Sequence, residues 1–293
     1  MRRSCAGSPR RSSGRVTPEG RERERLLRSR RNPRVVEARR LARDPREARR
    51  EGLFLADGTR PVLEALDAGL SPRVLFYHPE SPEAGAIQAL CRAAGFAPTA
   101  AATGILSAVS TLSTPQDAVG LFRRPVHDLA AVLAAPAHET IPCLFVLDRL
   151  QDPTNAGALC RSGLAAGMTG ALATEGTVDP FHPRAVRAAM GASFRLPIVA
   201  DLPVSVLGEA LERGGYRLLG LDPRGSIPLA EVRLDRPTAL LLGSEGSGPG
   251  GALRSRCEAT VRIPMQAGVD SLGVAAAGAV VFYFLRLRDR LFG

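Results

Sequence analysis

The sequence predicts an α/β protein: a second half built as a parallel sheet with helices on both faces, preceded by a small α/β module. Three observations predict it. Apolar runs without alternation at 143–148, 170–173, 196–199, 216–221 and 239–242 read as strands covered on both faces. Helical stretches at 156–166, 183–190 and 204–213 alternate with them, which is the pattern of a parallel sheet. With 293 residues and 45% hydrophobic content, the chain has room for two cores of ordinary size.

Charge divides the chain before the elements do. Residues 1–50 hold 18 of the 39 basic groups and 6 of the 29 acids, a balance of +12, whereas the remainder sums to −2. Residues 1–31 are rich in Arg, Ser, Gly and Pro and read as a disordered basic arm. That composition fits an organelle transit peptide, an arm touching RNA phosphates, or a solvated extension. Five scattered cysteines without a CxxC pair and four histidines without ligand spacing argue against a disulfide framework or a metal site, and for a reducing, cytoplasmic setting. Cys160 reads as a small buried helix residue. The apolar run 274–285 is shorter than the roughly 20 residues of a membrane span.

The front module, 32–124, opens with a helix over 33–50 carrying Val36, Leu41 and Ala48. A strand at 53–56, a helix with Val62, Leu63 and Leu66 on one side, and a strand at 74–77 follow. A helix at 82–94, a short strand near 96–98, a helix at 104–109 and a strand at 119–122 complete it. Residues 125–141 read as a linker with a short helix at 129–133, and the second domain occupies 142–293. Its last strand, 259–263, runs into Pro264 and Met265, and Asp270 or Ser271 is placed to cap a long apolar helix.

In open parallel sheets, ligands bind beyond the carboxyl ends of the strands. Three loops lie there, at 152–161, 243–248 and 263–271. They offer an amide (Asn155), a guanidinium (Arg161), a carboxylate (Glu245), a hydroxyl (Ser271) and much main chain. No lysine follows the glycines, so the loop is not a P-loop, and no GxGxxG follows the first strand, so a dinucleotide site of the common kind is unsupported.

These loops resemble a known family. The segments DRLQDPTNAGALCR (148–161), GSEGSG (243–248) and IPMQAGVDSLGV (263–274) are similar to motifs 1, 2 and 3 of the SpoU/TrmH branch of the SPOUT RNA methyltransferases. Residues 178–197 share the similarity, which covers about half the chain. The front module resembles the L30e-like substrate-binding domain of the same enzymes through Asn32-Pro33, the turn at 54–58 and Ser113-Thr114-Pro115-Gln116. The resemblance implies a deep trefoil knot, with the helix after Ser271 threaded through the chain, and a homodimer with active sites at its interface. It implies S-adenosylmethionine gripped by main chain around Leu242, Gly243, Ser244 and Gly246, with Ile263, Met265 and Leu272 enclosing the adenine.

The implied reaction is methyl transfer to a ribose 2′-hydroxyl of RNA, ribosomal rather than transfer RNA given the separate front domain. Arg161, contributed across the dimer, anchors a phosphate or a developing alkoxide in that reading, because a guanidinium stays protonated. Asn155 orients Arg161 or the ribose, Glu245 orders the dimer site around the arginine, and Ser271 positions cofactor or substrate. No metal or membrane is implied. One residue departs from the pattern: the third motif usually reads Ser-Leu-Asn, and here Gly273 follows Leu272. The alternative reading is therefore an RNA-binding relative with weak or lost transfer.

Overall fold

The computed structural model describes residues 26–134, 141–245 and 248–291. Most of the basic arm lies outside the described residues, but its last part is placed. Leu27 bridges to the neighbouring strand, donating to Ala100 O at 2.8 Å and accepting from Ala102 N–H at 3.0 Å. The expectation of a disordered arm through residue 31 is corrected there: Leu27 gains backbone partners at a sheet edge.

The expected helix over 33–50 is two helices, α1 (Pro33–Arg43) and α2 (Pro45–Arg50). Asp44 ends the first and caps the second, accepting from the N–H groups of Arg46 and Glu47 at 3.0 Å, and Pro45 takes the first helical position. Val35 rather than Val36 faces the core; Val36 is 44% exposed. Then come β1 (Leu53–Asp57), α3 (Thr59–Asp67), β2 (Pro72–Tyr77), α4 (Ala84–Ala93), β3 (Thr99–Ala100), α5 (Thr103–Val109) and β4 (Ala118–Arg123). The sheet order is β1-β4-β2-β3, with β4 antiparallel to both neighbours. Strand alternation gives it two buried faces. Leu55, Val74, Phe76 and Leu121 pack under α1 and α5, while Phe54, Leu75, Tyr77 and Phe122 face α3 and α4.

After α6 (Leu129–Leu133) the larger unit runs β5 (Cys143–Asp148), α7 (Pro153–Ala166), β6 (Gly170–Thr174), α8 (Pro183–Ala189), α9 (Ala192–Arg195), β7 (Ile198–Leu202), α10 (Val204–Arg213) and β8 (Arg217–Leu221). It finishes with β9 (Ile227–Pro228), β10 (Thr238–Gly243), α11 (Gly251–Arg254), β11 (Ala259–Arg262) and α12 (Val274–Leu291). The seven strands lie in the order β7-β6-β5-β10-β8-β11-β9, and every pairing is parallel. β5 and β10 are central and buried along their whole length, as their unalternating apolar sequences require. Phe145, Leu147, Leu240 and Leu242 face α7 and α12; Leu144, Val146, Ala239 and Leu241 face Leu207 and Leu211 of α10.

The strands expected near 96–98 and at 196–199 lie at Thr99–Ala100 and Ile198–Leu202, and two further expectations change next to the site. α7 starts at Pro153, three residues before Ala156, because Asp152 caps it by accepting from Thr154 N–H at 2.8 Å. α12 starts at Val274, so neither Asp270 nor Ser271 caps it; the carbonyl of Gly273 accepts the Ala277 N–H at 2.9 Å. Glycine at that position carries little of the cost it has inside a helix.

Candidate active site

The three loops emerge from the carboxyl ends of β5, β10 and β11. A buried carboxylate ties the first two together. Asp148, 1% exposed at the end of β5, accepts from Gly250 N–H at 2.6 Å with one oxygen and from the Thr174 hydroxyl at 2.8 Å with the other. The register pairs it with Gly243 on β10. Thr174 and Thr177 also receive the N–H of Arg149, at 3.2 and 2.9 Å, which holds Arg149 at a positive φ of 55°. An unpaired buried carboxylate would be costly, so these partners define the turn out of β5. Sequence reasoning passed over Asp148 as a functional position; its signal was an acid ending an otherwise apolar strand.

The second loop closes on itself. Gly248 N–H donates to Ser244 O at 2.9 Å, and these two residues form an isolated bridge. A Cβ on Gly243 would lie 2.0 Å from the carbonyl carbon of Gly248, so glycine is required there by the returning loop itself. Close approach of a ligand was the expected reason. Gly246 lies outside the described residues. Leu242 is 1% exposed, with its side chain in the core beneath α12, where Gly278 has no room for a Cβ beside Leu159 and Leu242.

The structure brings Asn155 and Glu245 together: Asn155 Nδ2 donates to Glu245 Oε1 at 2.6 Å across 90 residues of sequence. Asn155 sits in the first turn of α7, and Arg161 lies six residues further along, a rise of about 9 Å. Arg161 is exposed, and its side chain makes no hydrogen bond or ion pair among the described residues. Gly157 is one turn before Arg161 and therefore shares its side of α7. That side meets α8 at backbone contact, since a Cβ on Gly157 would lie 2.2 Å from Ala185 O.

The third loop is open. Ile263 and Met265 are half-buried, and residues 266–273 are exposed, with Val269 at 50% and Leu272 at 40%. Among the described residues, the main chain from Met265 to Leu272 makes one internal hydrogen bond, Val269 N–H to Gln266 O at 3.2 Å. Ser271 stands in this exposed stretch, and the Asn155–Glu245 hydrogen bond does not include it.

Cys160 and His182, in and near the motifs, have structural roles. Burial pushes the Cys160 thiol up to about 12, so it holds its proton as a core residue. His182 accepts Arg184 N–H at its Nδ1 and caps α8; burial lowers its pKa, against the opposing charge of Asp179. No group of three or more His, Cys, Asp or Glu fit to hold a metal is found among the described residues, and no helix there is long and apolar enough to cross a membrane.

Comparison with known proteins agrees with this geometry. Residues 142–283 match the SpoU rRNA Methylase family, and residues 32–120 match the MRM3-like substrate binding domain. The chain is 30% identical over 270 residues to the 23S rRNA (uridine(2479)-2′-O)-methyltransferase of Streptomyces viridochromogenes, covering 90% of this chain and 92% of that one. It is 31% identical over 181 residues to the 23S rRNA (guanosine(2553)-2′-O)-methyltransferase RlmP of Bacillus subtilis, covering 61% and 68%. The solved SpoU methyltransferase AviRb from Streptomyces viridochromogenes, in complex with the cofactor AdoMet, superposes with a TM-score of 0.77 at 29% identity over 90% of this chain and all of that one. With both units matched in order and a relative similar along nearly its whole length, the chain belongs to the SpoU rRNA methylase family.

Proposed function

We propose that this protein transfers a methyl group from S-adenosylmethionine to a ribose 2′-hydroxyl of ribosomal RNA. The observation that carries the reading is the Asn155–Glu245 hydrogen bond, which joins the first and second family motifs at the carboxyl ends of the two central strands. The relatives' named activities support the same chemistry. They also disfavour the reading of an inactive RNA-binding relative.

The residues present fit the cofactor. An open strand-end loop with free main-chain groups suits the edge of an adenine, and Ile263, Met265 and Leu272 offer apolar surface for its faces. Leu242 and Ser244 contribute through their main chain, and Gly246 belongs to the same cofactor-binding set by its place in the second motif. When bound, S-adenosylmethionine supplies the methyl as an electrophile. The 2′-hydroxyl is a weak nucleophile at neutral pH and gains from a group that stabilises the charge developing on its oxygen. Arg161 supplies that group. Glu245, held by Asn155, faces the arginine of a second copy, and Ser271 positions cofactor or substrate.

A homodimer and the knot belong to the same reading. Ala276, Val280 and Tyr283 form an exposed apolar stripe along α12, next to Val269 and Leu272, and a second copy on this face would cover it. The packing of α12 onto α7 and β10 suits a threaded C-terminal helix. Residues 32–124 serve as the RNA-gripping domain and 142–293 as the methyltransferase domain, working on ribosomal RNA in the cytoplasm.

Arg161→Ala tests the assignment in an assay with labelled methyl donor and ribosomal RNA from cells lacking the protein. Transfer falls by on the order of 100-fold or more while calorimetric cofactor affinity stays nearly unchanged. A large fall in cofactor affinity would contradict the role given to Arg161.

A further inference from the structure

The two units meet through a built joint. Arg124, just past β4, donates to both oxygens of Asp179 at 2.6 and 2.7 Å, and the two side chains are only 13% and 14% exposed. The Arg124 guanidinium also lies 4.6 Å above the Phe181 ring. Phe54 of β1 fits between Phe181 and Phe194, with ring centres 5.5 and 5.2 Å away, so the apolar core runs unbroken from one sheet to the other. The space left among Pro45, Leu53, Phe54, Asp179 and Phe181 is about 10 Å³, at the lower limit for one water.

Further pairs flank this centre. Arg195 reaches Glu64 and Asp67 of α3, each at 2.7 Å, and Arg49 of α2 pairs with Asp201. Backbone is shaped to admit them. Gly191 has a φ of +85° and a Cβ there would strike the Glu64 carboxylate at 2.4 Å, while Asp201 itself sits at a positive φ of 60°.

The joint is continuous with the reaction centre. Asp179 and Phe181 lead directly into α8, α8 lies in backbone contact with α7, and α7 carries Asn155 and Arg161. The covalent tether alone would be loose. The linker helix α6 is capped by Asp128 and pinned to the large unit by buried Val132 and by the Tyr216 hydroxyl on Leu133 O at 3.1 Å, which leaves residues 125–127 as the tether. Three extended residues reach about 10 Å, whereas a nucleotide step along a duplex advances roughly 3 Å. A front unit held only by that tether would tolerate displacement by several nucleotides.

We propose that the Arg124–Asp179 and Phe54–Phe181–Phe194 joint is the specificity-determining element of the enzyme: it fixes the distance from the RNA grip to the methyl-transfer site and so selects a single ribose. The proposal rests on the RNA methyltransferase reading above. Arg124 and Asp179 act here as positioning residues, through geometry and without touching the reacting atoms.

The test compares full-length wild type, Arg124→Glu, Asp179→Arg and the charge-swapped double variant on the same ribosomal RNA, mapping 2′-O-methylation nucleotide by nucleotide. Small-angle scattering reports the domain arrangement, and calorimetry reports S-adenosylmethionine binding. Each single variant loses on the order of 10–100-fold in kcat/KM for RNA and spreads methylation to neighbouring riboses, with cofactor affinity retained; the double variant restores one site. Scattering that shows separated units together with one sharp site at wild-type efficiency overturns the proposal. So do single variants that match wild type in every readout, or variants that lose cofactor binding along with transfer. A wild-type protein that transfers no methyl to any RNA overturns the functional reading and this proposal together, whereas an active wild type with unaltered variants overturns this proposal alone.

Discussion

Replacing Gly157 by alanine sets two backbone effects against each other at the centre of the site. In a helix, Gly→Ala ordinarily gains about 1 kcal/mol through propensity. Here the new Cβ would sit 2.2 Å from Ala185 O and 2.8 Å from Ala188 Cβ, more than 1 Å inside ordinary contact at the carbonyl oxygen. Overpacking of this kind costs about 1–3 kcal/mol, and the obstructing atom is backbone, which places the cost at the upper end. The clash wins, with a net loss of about 1–2 kcal/mol and a fall in Tm of roughly 2–8 °C for a unit of this size. Gly85→Ala is the control, because a Cβ on Gly85 in α4 meets nothing within 4 Å; it gains a few tenths to about 1 kcal/mol. Calorimetric melting of both variants reads the difference in sign. Methyl transfer by Gly157→Ala drops as well, since α7 carries Asn155 and Arg161 and must shift away from α8. A Gly157→Ala protein melting at or above wild type would refute the backbone-contact packing of these helices.

Three other outcomes are expected. Asp148→Ala leaves the Gly250 N–H without its acceptor, costs about 1–3 kcal/mol by denaturant titration, and weakens cofactor binding by releasing the 243–250 loop. Asp179 gives a pH signature. Burial alone would raise its pKa, but the Arg124 hydrogen bonds and charge, the Phe181 N–H and the charge of Arg49 hold it below the usual carboxylate range, with His182 also nearby. A carboxylate whose folded pKa is depressed contributes stability above its unfolded value, near 3.8, and loses it as pH falls through the folded value. The difference in Tm between wild type and Asp179→Asn accordingly shrinks below about pH 4; a constant difference would remove Asp179 from the account. Gly273→Asn, which restores the usual residue of the third motif, changes stability by no more than about 0.5 kcal/mol and keeps methyl transfer, because the position has space and an ordinary φ. Lost transfer in a well-folded Gly273→Asn protein would show that glycine is needed there.

Much of the fold was legible because it is written in neighbouring residues. The unalternating runs at 143–148 and 239–242 state burial on both faces, and both are central strands. The short helix at 129–133 was expected and is present. The break between α1 and α2 was also legible, in Pro45 after Asp44, but the surrounding helical pattern outweighed it. The start of α12 was less so: Asp270 and Ser271 are good capping residues, and the exposed loop simply continues past them.

The sequence by itself determined which residue types gather at strand ends, that the 243–248 loop is built on glycine, and, by resemblance, the family. The tertiary structure alone decided the pairings. Asn155 meets Glu245 across 90 residues, Arg124 meets Asp179 across 55, and Asp148 reaches Gly250 across 102. No local pattern encodes such partners, because a hydrogen bond is satisfied by any donor that packing delivers within reach. The glycines show the same division. Sequence marked Gly243 as a place for close approach, and the structure identified what approaches: the returning backbone at Gly248, with Ala185 of α8 in the same role at Gly157.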